Sequence, residues 1–187
     1  MEERNILLKK NLDLLYQSTL IGMICVVLVI IPLVNIIALV VALIAAVMVF
    51  MAMYRLRELH EDYHTAFMLS IINIALELIG GMLGGNLESI VSLISAAVSF
   101  GQTYHIIRAT NSFLAQLDRN EVIERGQAAI RMYKINLAVS IAGSVLLMIA
   151  GDGMALLLGI AAVGSLIISI ISIVCYIKYL GAARACF

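Results

Sequence analysis

Apolar residues run along this chain in three long blocks. The first block lies between Asp13 and Arg55 and contains 41 consecutive uncharged residues. One helix of that length would measure about 62 Å, about twice the ~30 Å thickness of a bilayer's hydrocarbon core. The block therefore predicts two membrane spans, near 14–33 and 36–54. We expect the break at Pro32 to Asn35, because proline interrupts the helical hydrogen-bond ladder.

The second and third blocks have the same layout. Residues 64–107 are interrupted by the glycine-rich segment 80–86, and residues 133–178 are interrupted by Gly151-Asp152-Gly153. Such glycine-rich segments are typical of turns. The pattern predicts an all-α, polytopic membrane bundle of six transmembrane helices, arranged as three tandem hairpins. The hairpins are expected near 14–54, 63–107 and 133–178, in one transmembrane domain that covers 1–187.

The basic residues predict the orientation of this bundle. Positive residues concentrate in the cytoplasmic loops of membrane proteins. In the predicted topology every lysine and arginine falls on one side, so both termini should be cytoplasmic, in a plasma (inner) membrane. The twelve are Arg4, Lys9, Lys10, Arg55, Arg57, Arg108, Arg119, Arg125, Arg131, Lys134, Lys178 and Arg184.

Composition agrees with a membrane location. Hydrophobic residues make up 63% of the chain and charged residues 13%, whereas a soluble domain has roughly 25% charged residues. The lipid bilayer is therefore the expected main partner. The basic residues are spread over four segments and the net charge is zero, which argues against the concentrated basic patch of a nucleic-acid-binding protein.

Tyrosines mark the inner end of each predicted span. Interfacial aromatic rings favour the headgroup level of a bilayer, so we expect these tyrosines to form a belt on the cytoplasmic side. The first two hairpins also match at an offset of 50, from Leu43 to Tyr54 and from Leu93 to Tyr104, which indicates an internal repeat. The belt residues are Tyr16, Tyr54, Tyr63, Tyr104, Tyr133 and Tyr176.

The segment 109–131 forms an insertion before the third hairpin. We expect span four to continue as a helix through Phe113, Leu114 and Leu117, and a second helix to begin near Asp118, which forms a capping-box pattern with Glu121. This cytoplasmic helical connector is either a plain link or a docking surface for a cytosolic or membrane protein partner. A homo-oligomer is also open.

The sharpest local motif is His60-Glu61-Asp62-Tyr63-His64, an H-E-x-x-H sequence. On a helix its two histidines can share a zinc ion while the glutamate activates water, and in this it resembles zinc metallopeptidases. The resemblance implies His60, Glu61 and His64 as zinc-site residues. A third ligand would have to come from Glu58, His105 or the acids of 118–124. The alternative is a polar loop in which Asp62 caps span three.

Polar residues follow one helical face on spans three and four. They recur at intervals of three and four residues, which places each set on one face of its helix. We expect these side chains to face the bundle interior, where they either pack together or line a polar path between hairpins two and three. They are Ser70, Asn73 and Glu77 on span three, and Glu88, Ser92, Ser95, Ser99 and Thr103 on span four.

These features leave three functional hypotheses. The first is a small transport or channel component that uses the polar path. The second is a membrane scaffold or regulatory subunit, and the third is a membrane zinc metallopeptidase. No cofactor is expected under the first two hypotheses, and zinc is expected under the third.

Overall fold

The structure is a computed structural model that describes residues 2–28, 35–80, 82, 86–149 and 155–187. Within these residues the chain forms six α-helices and is all-helical, as predicted. The predicted breaks at 32–35, at 80–86 and at 151–153 lie wholly or mostly outside the described residues. The helices are α1 (Glu2–Leu28), α2 (Asn35–Leu56), α3 (Glu61–Gly80), α4 (Asn86–Ala115), α5 (Asn120–Ile149) and α6 (Ala155–Arg184).

Of the described helices, α2 to α6 are each long and apolar enough to cross a membrane. The helix α1, whose described part ends at Leu28, is not among those five. A continuous helix suits this environment because it satisfies its own backbone hydrogen bonds where no water is present. The expected class, a membrane protein built from apolar helices, agrees with these five helices.

The helices pack in the order of the chain and close into a ring. Each helix packs against the next, and α6 packs back against α1. The closest packing joins α3 to α4, α1 to α2 and α5 to α6, while α2 and α3 have the least extensive contact of the ring. Neighbours in the ring are therefore mostly neighbours in sequence.

The hydrophobic core lies at one end of the helix bundle. We call this end the charged end, since it contains the loop 57–60, the turn 116–119 and the C-terminus. The opposite end of the bundle, where α3 ends at Gly80, is the glycine end. The core cluster draws side chains from every described helix. Its fully buried large side chains are Leu8, Leu12, Leu15, Met53, Leu56, Tyr63, Ile107, Leu114, Tyr179 and Leu180.

The turn between α4 and α5 corrects the predicted capping box. The helix α4 ends at Ala115, so Leu117 lies in the turn, and Asp118 has a positive φ of 53°. The Asp118 N–H donates to the Ala115 carbonyl at 3.3 Å and the Arg119 N–H to the Leu114 carbonyl at 3.1 Å. This pair of bonds is a Schellman motif. Asp118 thus ends α4 rather than capping α5.

Candidate functional site

Small and polar side chains of α4, α5 and α6 surround a crevice in the half of the bundle nearer the glycine end. It has a volume of about 290 Å³. That is at the lower limit of the ~300–1,000 Å³ typical of small-molecule sites. Its lining residues are Ser92, Val139, Ser140, Gly143, Ser144, Ala161, Ala162 and Ser165.

The sequence produces this crevice through residue size and spacing. Gly143 and Ser144 follow Ser140 at intervals of three and four residues, which presents short side chains on one face of α5. Across from them, Ser92 comes from α4 and Ser165 from α6. The lining carries no charged residue. A serine hydroxyl both donates and accepts hydrogen bonds, so the lining matches an uncharged polar group.

A second, smaller crevice continues toward the charged end. It has a volume of about 90 Å³ between α4 and α5, and Ser140 lines both crevices. Its polar lining is completed by Ser99, Asn136 and Tyr133. The Ser169 hydroxyl donates to the Asn136 Oδ1 atom at 2.8 Å. We call the two crevices together the recess, since they share Ser140 and follow the same helix, α5.

Asn73 is the centre of a separate network between α3 and α4. Its Oδ1 atom accepts from the Ser95 hydroxyl at 2.7 Å and from the Ser99 hydroxyl at 3.3 Å. Its Nδ2 atom donates to Glu77 Oε1 at 2.8 Å. Interhelical hydrogen bonds of this kind join membrane helices. The predicted stripes therefore meet by direct contact where Ser95 and Ser99 donate to Asn73. Ser99 also lines the smaller crevice, and Ser92 lines the larger one.

The remaining residues of the predicted stripes take other positions. Ser70 is buried and donates to the carbonyl of Ala66 at 3.0 Å. Thr103 is half-buried beside the Tyr133 hydroxyl. Glu77 and Glu88 are exposed and lie outside the lining of the recess. The Glu77 carboxylate accepts from Asn73 near the end of α3, and its part in a polar path stays a prediction.

The H-E-x-x-H segment straddles the start of α3. The helix begins at Glu61, and His60 precedes it. The His60 Nδ1 atom accepts the backbone N–H of Asp62 at 3.1 Å, so His60 holds the capping position that was predicted for Asp62. Glu61 and His64 are both exposed. In the described part of the chain, no group of three or more His, Cys, Asp and Glu side chains is arranged to hold a metal ion.

Asp62 instead links α3 to α4. Its Oδ1 atom accepts from His105 Nδ1 at 2.8 Å, and its Oδ2 atom lies 3.4 Å from Arg108 Nε. The His60 Nδ1 atom lies 3.6 Å from Oδ2, but it already accepts a backbone N–H, so these two atoms form no ion pair. The Asp62 side chain is only 14% exposed. Sequence reasoning named His105 only as a possible zinc ligand and missed this contact.

Four tyrosines lie at or beyond the charged-end side of the smaller crevice, and we call them the tyrosine cluster: Tyr63, Tyr133, Tyr176 and Tyr179. The Tyr63 hydroxyl lies 2.7 Å from Thr110 Oγ1. The Tyr179 hydroxyl donates to Asn111 Oδ1 at 2.9 Å. The Tyr133 and Tyr176 rings meet edge to face at 6.0 Å. Their packing joins α3, α4, α5 and α6 just beyond the smaller crevice.

The tyrosine cluster corrects the predicted headgroup belt. Tyr63 and Tyr176 are buried among the helices. Tyr54 does face outward, and the Arg57 guanidinium lies over its ring at 4.0 Å. Position along a span predicts the level of a tyrosine in the bundle but not the direction in which its ring points.

Comparison with known proteins assigns no family to this chain. No protein-family model matches it, and no curated protein or solved structure shows significant similarity to it.

Proposed function

We propose that this protein is a small transport component that binds an uncharged, hydrogen-bonding solute in the recess between α4, α5 and α6. The observation that carries this proposal is the chemistry of the larger crevice, whose lining contains four serines and no charged side chain. Buried polar groups in a membrane need partners. A solute with hydroxyl or amide groups would supply them.

The shape of the recess favours a binding site over a continuous channel. From Ser144 to Tyr133 the recess follows α5 for 11 residues, or about 16 Å at 1.5 Å per residue. That is about half of a ~30 Å hydrocarbon core. Beyond Tyr133 the tyrosine cluster and the buried core fill the bundle. A solute would therefore enter from the glycine end and stop half-way.

The proposal includes a topology. Six spans would form three tandem hairpins with both termini in the cytoplasm, which places the charged end inside the cell and the glycine end outside. Two observations support it: the closest packing joins α1 to α2, α3 to α4 and α5 to α6, and the basic residues concentrate at the charged end. The recess would then open to the outside.

Cysteine accessibility tests the recess directly. Cys25, Cys175 and Cys186 are free thiols and would first be replaced by alanine. Single cysteines are then placed at Ser92, Ser144 and Ser165, and their reaction with a small hydrophilic thiol reagent is measured in proteoliposomes. The matched controls are cysteines at Ile94 and Val145, which are exposed but do not line the crevice. We expect the three crevice positions to react and the controls to stay silent.

A blocking variant distinguishes thiol reaction through a water-filled recess from thiol reaction that loose helix packing would allow. No atom lies within 4 Å of where a side chain at Gly143 would begin, so Gly143→Leu should fill the crevice without displacing a neighbour. We expect it to suppress reaction at Ser144 and Ser165. Silence at every position before this substitution would mean that the serines only pack together, which would favour a membrane scaffold.

A further inference from the structure

A second groove lies at the charged end, between α5 and α6. It has a volume of about 390 Å³ and is separate in its lining from the recess. Ala128, Cys175 and Ala182 form an apolar floor, and the side chains of Arg125 and Lys178 stand at its edges. Both of these basic side chains are exposed. The groove therefore combines two positive charges with an apolar floor.

The two charges are available to a ligand. Lys178 forms no salt bridge with any residue that the structure describes. Arg125 pairs with Glu121 at 2.6 Å on the same helix, where both side chains are more than half exposed. An exposed pair of this kind contributes little stability. An anion can therefore compete with Glu121 for the guanidinium.

Exposed apolar residues also lie on both helices between the groove and the middle of the bundle. On α6, Ile171 lies seven residues before Lys178, and on α5, Ile135 lies seven residues after Ala128. Seven residues make about two helical turns, so each isoleucine shares a face with a residue of the groove. Both isoleucines are exposed. The rise per residue puts each of them about 10 Å deeper than that residue.

We propose that this groove binds one anionic phospholipid, with its phosphate between Arg125 and Lys178 and an acyl chain over the floor toward Ile135 and Ile171. Basic pockets between membrane helices near the cytoplasmic surface suit anionic headgroups. The apolar floor and its continuation select a lipid over a free phosphate ion, which would gain nothing from them. The site is independent of the solute recess.

Tryptophan fluorescence offers a clean test, since the chain contains no tryptophan. A single Ile135→Trp substitution reports on the groove. A single Val47→Trp substitution, at an exposed position of α2, reports on bulk lipid. Each full-length variant is placed in vesicles that contain brominated phosphatidylglycerol or brominated phosphatidylcholine, and the quenching gives the relative association of the two lipids.

We expect the Ile135→Trp variant to prefer phosphatidylglycerol by about fivefold for each basic residue that contacts the lipid, and the Val47→Trp variant to show little preference. Adding Arg125→Gln together with Lys178→Gln should reduce the preference of the groove reporter to that of the bulk reporter. Lys178→Arg should keep the preference, and an excess of inorganic phosphate should leave it unchanged.

Three results would overturn the proposal. Equal preference in the two tryptophan variants would mean that no specific lipid site exists. A preference that survives the loss of Arg125 and Lys178 would place the anion elsewhere. Competition by inorganic phosphate alone would mean a free-anion site. Circular dichroism and size-exclusion chromatography check the fold of each variant, and Lys178→Gln alone gives the same test should the double variant misfold.

Discussion

Within the single helix α2, the two ends of the bundle can be compared directly. Near the charged end, Met53 and Leu56 are completely buried, whereas near the glycine end Ile36 and Leu43 are 77% and 67% exposed. These residues are all apolar, so each of them has the same preference to leave water. What differs is the surroundings: Met53 and Leu56 pack among neighbouring side chains, whereas Ile36 and Leu43 face outward.

The stabilising core therefore lies at the charged end of the bundle, and the proposed binding recess lies in the other half. The charged end is packed like the interior of a soluble protein, with a continuous cluster of buried side chains. In the other half, apolar residues face a solvent as apolar as themselves, and burial against a neighbouring helix gains little. There a serine and an asparagine join α3 to α4, and another such pair joins α5 to α6. A crevice persists in that half because no hydrophobic collapse closes it.

The largest expected effect compares the same substitution at the two ends of α2. Leu56→Ala removes a fully buried side chain and should lower the free energy of unfolding by about 2–5 kcal/mol. Leu43→Ala removes an exposed side chain and should change it little. Unfolding in mixed detergent micelles measures both. Equal losses would show that the two halves of the bundle are packed alike.

A second comparison concerns two glycines of α5. At Gly126 an added Cβ atom would lie 2.8 Å from the Tyr179 ring and 3.0 Å from Asn111 Oδ1, so Gly126→Ala should cost about 1–3 kcal/mol of unfolding free energy through overpacking. At Gly143 an added Cβ meets nothing within 4 Å. Gly143→Ala should therefore be neutral or slightly stabilising. A thermal shift assay in detergent ranks the two, and the reverse ranking would contradict the packing at the tyrosine cluster.

A third pair of variants tests the contact that holds α3 to α4 at the charged end. Asp62→Asn removes the charge that faces His105 and Arg108 and should cost about 1.5–3 kcal/mol, the range that hydrogen bonds to charged groups contribute. His64→Ala changes an exposed side chain and should leave the melting temperature unchanged. Zinc analysis of the same preparations tests the H-E-x-x-H hypothesis. One zinc per chain, lost with His64, would support a metallopeptidase-like site.

The smallest effect is expected in the turn outside the core. Asp118 adopts a left-handed backbone conformation, with φ of 53°, that glycine adopts more readily. Asp118→Gly should stabilise the chain by about 0.5 kcal/mol, which is the relief of backbone strain less the greater freedom of glycine in the unfolded chain. Repeated thermal melts resolve a change of this size. Destabilisation would argue against the Schellman geometry at the end of α4.

Hydropathy and length were enough to predict the helices. The apolar blocks predicted helices where α2 to α6 occur, and the helix expected to begin near Asp118 begins at Asn120 as α5. These predictions succeed because a bilayer requires a minimum length of apolar helix. Ser92 and Ser99 of the polar stripe on α4 each line a crevice together with residues of α5, and a polar path through them stays a prediction.

The direction of individual side chains was harder to predict. A helix that is apolar all round carries no periodic signal for its inner face, and α2 is such a helix. Whether Tyr63 and Tyr176 are buried depends on which face of each helix points toward the neighbouring helices. The contact of Asp62 with His105 joins residues 43 positions apart. No local pattern in the sequence encodes such a pairing.

The most direct test of the central claim measures from which side of the membrane the recess can be reached. Single cysteines are placed at Ser165 in the crevice, at Met82 in the turn at the glycine end and at Asn120 in the turn at the charged end, in a chain without its native cysteines. A membrane-impermeant thiol reagent is applied to each face of sealed vesicles in turn. We expect the cysteines at positions 165 and 82 to react from the outer face only, and the cysteine at position 120 to react from the inner face only. Reaction of Ser165 from the Asn120 side would contradict closure of the recess by the tyrosine cluster.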